Sequence, residues 1–152
     1  MFKILFLVLK AAKLGPLLKV GGTMLISVGA YALFYGWWYD ENVFKANGWT
    51  APTTWEELLA LNEKIKAKGM SPITFQGKYP YYMIEGMLLP WAFAVGGPEA
   101  VRNAQNLEKG AWESPAMLKA AQMIDELNQK GYFENGAVGL SHTEAQMDML
   151  LG

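Results

Sequence analysis

Cysteine is absent from the 152 residues. Without thiols the chain forms no disulfide, builds no cysteine-type zinc site and carries no cysteine-linked lipid. Histidine occurs once, as His142, which leaves a histidine-based metal site without partners. Acidic residues are missing from the first 39 positions, which hold Lys3, Lys10, Lys13 and Lys19, whereas all 14 acids and the other nine of 13 bases follow. The net charge of −1 therefore conceals two chemically different parts that meet near Tyr39–Asp40. HExxH, GxSxG, P-loop and GxGxxG patterns are also missing, and Gly96-Gly97-Pro98 reads as a turn, not a phosphate loop. Glu56-Glu57 and Asp125-Glu126 are neighbours on helical faces, not carboxylates opposed across a cleft. The bases of residues 40–152 are scattered, so nucleic acid is not an expected partner. Neither catalysis nor a cofactor is expected.

Hydrophobic residues make up 52% of the chain and charged residues 18%, which fits a globular or partly membrane-embedded protein and excludes disorder. Val20–Tyr39, VGGTMLISVGAYALFYGWWY, is twenty residues without a charge. As a helix it would span about 30 Å, a bilayer's hydrocarbon thickness. Trp37, Trp38 and Tyr39 stand where an interfacial aromatic belt would lie, with lysines on the other side. That arrangement predicts a membrane helix with its N-terminus cytoplasmic and the soluble part extracytoplasmic. A buried apolar hairpin is the alternative, since Gly21, Gly22, Gly29 and Gly36 dilute the hydropathy. Residues 2–14 are too short to span and are expected to lie in the interface.

From residue 40 the chain reads as α-rich. A short helical turn stops at Gly48. Thr54 and Glu57 form a capping box for a helix that ends near Gly69, with Trp55, Leu58, Leu59 and Ile65 on its buried face. Ile73 and Phe75 alternate with Thr74 and Gln76, which makes 71–76 a strand candidate, and 36–39 is a second. Residues 80–95 are apolar all round and predict a buried helix kinked at Pro90; Pro98 opens another. Ser114-Pro115 starts a helix to Lys130 whose stripe is Met117, Ala121, Ile124 and Leu127. Ser141 and Glu144 cap a last helix. Two short strands make no self-sufficient sheet, so the domain is either essentially helical or a fragment of a larger sheet protein.

The segment Phe75–Tyr82, FQGKYPYY, gathers four aromatics, an amide and a cation at the end of the strand candidate. Aromatic faces with polar tips suit a neutral amphipathic ligand. A sugar offers C–H faces that stack on rings and hydroxyls that bond to amide and ammonium groups. Gln76, Lys78, Tyr79 and Tyr81 supply both functions. A plain structural turn remains the competing account, and for His142, in the first turn of its helix, a surface or capping role competes with a polar ligand contact.

Two resemblances follow. The Tyr39/Phe44 step, Pro52-Thr53-Thr54-Trp55-Glu56-Glu57, FQGKYPYY, NLEKGAW at 106–112, and LSHTEAQ at 140–146 together resemble the family 1 extracellular solute-binding proteins of carbohydrate ABC importers, most closely the N-acetylglucosamine or chitobiose type. The resemblance covers residues 36–152 and implies part of the second lobe of a two-lobed α/β periplasmic-binding-protein-like fold, mostly α in this segment. It also implies that Gln76 and the Lys78–Tyr81 turn face a sugar, that His142 lies near the cleft, and that an importer permease is the partner. Residues 2–36 resemble the leader and first membrane segment of site-2-protease-like zinc metallopeptidases, but the HExxH helix that should follow is missing, so no peptidase activity carries over. The chain thus reads as a composite: a membrane-attached segment at 1–39 fused to a partial carbohydrate-binding lobe at 40–152. A non-catalytic relative of the peptidases, or an interaction module, is the alternative.

Overall fold

A computed structural model describes residues 36–151. Most of the expected membrane segment and the apolar stretch 2–14 lie outside them. Residues 36–39 are described and are neither helix nor strand, so the expected helix does not include them and the strand candidate there is withdrawn. Among the described residues no helix is long and apolar enough to cross a membrane. The chain divides between Ala51 and Pro52 into two compact units.

In the first unit, helix α1 (Glu41–Asn47) begins where Asp40 accepts hydrogen bonds from the Asn42 and Val43 amides at 2.6 and 3.3 Å. A carboxylate there also complements the positive end of the helix dipole. Phe44 packs against Tyr39 and Trp49, with ring centroids 4.4 and 5.9 Å away.

The second unit is built from α2 (Trp55–Lys66), α3 (Tyr81–Met83), a wide π turn (Ile84–Leu88), α4 (Leu89–Gln105), α5 (Pro115–Gln129) and α6 (His142–Leu151). Helix α2 starts as the capping box requires. Thr54 Oγ1 accepts from the Glu57 amide at 3.2 Å, and Glu57 Oε2 accepts from the Thr53 amide at 2.7 Å and the Thr53 hydroxyl at 2.8 Å. The return arm thus reaches Thr53, and its two hydrogen bonds hold the Glu57 carboxyl below its ordinary range. The most deeply buried residues of α2 are Leu61 and Asn62, not the expected stripe of Trp55, Leu58, Leu59 and Ile65, which is half-buried. Trp55 instead makes a lateral anchor: its indole N–H donates to Glu126 at 3.2 Å, and its ring meets Trp91 edge-on at 5.3 Å.

The core lies between α4 and α5, where Ala92, Ala104, Met117 and Ala120 are buried and Trp91 and Val101 pack on them. Alanines let the two helices approach closely. On α5 the buried set is Ala116, Met117, Ala120 and Leu127; Ala121, expected inside, is exposed. The distortion expected at Pro90 lies just before it. The Leu89 amide bonds to the Ile84 carbonyl, five residues back, so the helix widens before the residue that has no N–H to donate. The sharper break is at Gly97, with φ 73° and ψ −174°, a conformation open to glycine, and Pro98 restarts the helix beyond it.

The strand candidate 71–76 is reduced to one parallel bridge, Ile73 to Phe133. The Ile73 amide donates to Tyr132 at 3.0 Å, and the Glu134 amide donates to Ile73 at 2.8 Å. The alternation was real, since Ile73 and Phe75 are buried, but only one residue of each segment pairs. No longer strand occurs among the described residues.

Candidate functional site

The bridge leads into FQGKYPYY, and backbone hydrogen bonds fix where that segment goes. The Gly77 amide donates to the Phe75 and Ala137 carbonyls, each at 3.0 Å; the Lys78 amide donates to Leu140 at 3.1 Å, and the Tyr79 amide to Gln76 at 3.1 Å. Position 77 must be glycine: a Cβ there would stand 2.4 Å from Val138 Cα and 2.5 Å from the Ala137 oxygen. The close approach ties the aromatic turn to residues 137–140, which run directly into α6.

At the start of α6 the return arm of the expected capping box forms, with the Ser141 amide donating to Glu144 Oε2 at 2.8 Å, while the Ser141 hydroxyl also bonds the Glu144 carboxylate. Bonds from Ser141 hold the Glu144 carboxyl below its usual range, and the Lys78 ammonium adds a smaller effect of the same sign. His142 therefore enters at the first position of α6, beside the rings of the turn. Its ring centroid lies 5.6 Å from that of Tyr79 and 4.6 Å from that of Tyr82, the latter pair edge-on at 83°. Tyr81 and Tyr82 stack obliquely at 4.3 Å, and Tyr79 lies 6.2 Å from Tyr81. The Tyr82 hydroxyl is hydrogen-bonded to His142 Nε2.

Of the expected site residues, Tyr79, Tyr81 and His142 are brought into one cluster. Tyr81 is 44% exposed; Tyr79 and His142 are half-buried. Lys78 is exposed at the edge of the turn, close enough to act on Glu144. Gln76 is half-buried at the start of the turn, with its carbonyl used by Tyr79; no side-chain contact joins it to the rings. Tyr82, in the same aromatic run, is the ring of the cluster that sequence reasoning misses. Its importance rests on His142, 60 residues away in sequence, a distance that periodicity does not bridge.

The cluster is open. Two concavities stand out among the described residues, one of about 330 Å³ bounded by Glu85, Leu89, Pro90 and Phe93, the other of about 390 Å³ bounded by Leu88, Trp112, Met117 and Leu118. Neither is lined by the aromatic turn. Among the described residues no group of three or more His, Asp or Glu side chains could hold a metal ion. What the cluster presents is a set of ring faces beside a hydroxyl, an imidazole and an ammonium.

No family model matches the chain. Over 112 residues it is 34% identical to the diacetylchitobiose binding protein NgcE of Streptomyces coelicolor, a match covering 74% of this chain and 24% of that protein. Over 35 residues it is 43% identical to the osmoprotective compounds-binding protein GgtB of Synechocystis, covering 23% of this chain and 8% of that one. The chain spans about a quarter of the first relative's length and less than a tenth of the second's.

Proposed function

We propose that residues 40–152 are a carbohydrate-binding portion of an extracytoplasmic solute-binding protein that delivers sugar to an ABC-type importer permease, and that residues 1–39 attach it to the membrane with the N-terminus cytoplasmic. The ligand class is an N-acetylated amino-sugar oligosaccharide. The observation that carries the reading is the meeting of Tyr79, Tyr81 and His142 on one open face, in a segment whose likeness to a diacetylchitobiose binding protein covers most of the chain. Lys78 stands at the rim of that face, and Gln76 at the start of the turn completes the binding set.

The described rings offer one wall and no enclosure, whereas tight small-molecule sites bury most of the ligand's surface. Weak affinity follows, with Kd on the order of 1 mM. Titration calorimetry of the full chain with N,N′-diacetylchitobiose tests the reading. Saturable heat that Tyr81→Ala removes is the expected result. Absence of heat with this sugar and with longer N-acetylglucosamine oligomers, from a folded sample, overturns it.

A further inference from the structure

Helix α6 has an apolar side that does not pack on its own unit. The packed side carries Ala145, which is buried, and Met149, which is half-buried, with His142 held against the aromatic turn. At 3.6 residues per turn, Met147, Leu150 and Leu151 fall together on the opposite side. All three are exposed, Leu151 the most at 78%. Large apolar side chains spaced i, i+3, i+4 are the anchors with which a helix enters an apolar groove. Such a groove lies on the same unit. Trp112, in the turn before α5, joins Leu118 and Ala121 of α5 and Leu88 of the π turn around a hollow of about 390 Å³, with buried Met117 in its lining. Trp112 and Leu118 are exposed there. Glu113 is the one charged residue of the lining, and α6 carries acids but no lysine or arginine, so the match between helix and groove is apolar and draws nothing from charge.

We propose that two copies of this chain pair about a two-fold axis, with the Met147, Leu150 and Leu151 face of α6 in each copy seated in the Trp112 and Leu118 groove of the other. Area decides for a closed pair. A single seating covers on the order of 500 Å² of apolar surface, below the roughly 1,000 Å² that a specific interface needs in total. Closing the pair makes the same contact twice and reaches that size. It also leaves neither apolar feature in water, whereas a head-to-tail chain leaves one of each at its ends. The aromatic turn takes no part in the contact, so the pairing stands or falls independently of the sugar-binding reading.

The full-length chain has no cysteine, so introduced cysteines report on this contact alone. Leu118 and Leu150 are each 57% exposed, and replacing them does not disturb the core. Co-expressed and mildly oxidised, Leu118→Cys and Leu150→Cys are expected to give a cross-linked pair in about fivefold higher yield than either variant expressed by itself, because in the pair each position faces the other and not its own copy. The double variant Leu118→Cys/Leu150→Cys is expected to stop at covalent dimers. Adding the surface change Leu151→Glu to the Leu150→Cys partner is expected to lower the mixed yield about fivefold. Equal yields in mixed and single samples, no cross-link at all, or a yield that Leu151→Glu leaves unchanged overturns the pairing. So does a ladder of longer species from the double variant, which shows a head-to-tail chain, and so does a disulfide within one chain, which shows α6 turned into its own groove.

Discussion

Tyr132 is fully buried and gives its hydroxyl to Glu63 Oε1 at 2.5 Å, with Lys66 Nζ 5.8 Å from its ring centroid. Burial first, then the bond to Glu63, push the hydroxyl up to about 12 from 10. An acid whose folded pKa is raised contributes stability that is complete below its unfolded value and disappears as pH climbs through the folded one. The window here runs from pH 10 to about 12 and is worth about 2–3 kcal/mol. Tyr132→Phe is expected to cost about 1 kcal/mol at neutral pH, since the exposed Glu63 can hydrate, and to flatten the alkaline decline. Urea unfolding across that range checks both; a variant declining as steeply as the parent contradicts the account. Glu57 and Glu144 act with the opposite sign: their lowered carboxyls support the fold above the ordinary carboxylate range and lose that contribution as pH falls through their folded values. Both carboxyls are exposed, so each contribution is small. Nothing in the sequence marked Tyr132 as the most enclosed large side chain, because its neighbours come from α2, about 70 positions earlier.

At the scale of elements, local chemistry was well written into the sequence. Thr54 and Ser114 cap α2 and α5 where the sequence indicated, and Glu144 accepts from the Ser141 amide at the start of α6; such contacts depend only on their own few residues. Thr54→Ala is expected to lower stability by about 1 kcal/mol, read by urea denaturation. What stayed illegible was the packing choice between adjacent alanines. Ala120 faces α4 and Ala121 faces solvent, a distinction set by where α4 lies and not by the composition of α5. The π turn before Pro90 was likewise expected only as a kink. Gly77 is the element on which the site depends. Gly77→Ala must push apart the turn and residues 137–138, at a cost of about 1–3 kcal/mol, and should loosen the register between Tyr82 and His142. A thermal unfolding scan gives the first quantity and the His142 ring spectrum the second; an unchanged spectrum would separate the turn from the site.

For the molecule as a whole, the proposed site rests on the physical reading of FQGKYPYY, and the likeness to a diacetylchitobiose binding protein over 112 residues supports the ligand class proposed for it. Sequence placed three aromatic or imidazole rings in the candidate site; the fold explains why they meet, through the glycine contact that brings residues 137–142 against residues 76–82. Among the described residues, neither of the two concavities is lined by the turn. Under the proposed reading, a site with one described wall binds weakly, in the millimolar range. The most direct measurement follows the imidazole resonances of the single histidine while N,N′-diacetylchitobiose is added to the full-length protein. The account predicts a saturable displacement of those resonances that Tyr81→Ala greatly weakens. Resonances that stay in place while calorimetry reports binding would put the sugar elsewhere on the molecule and contradict the site described.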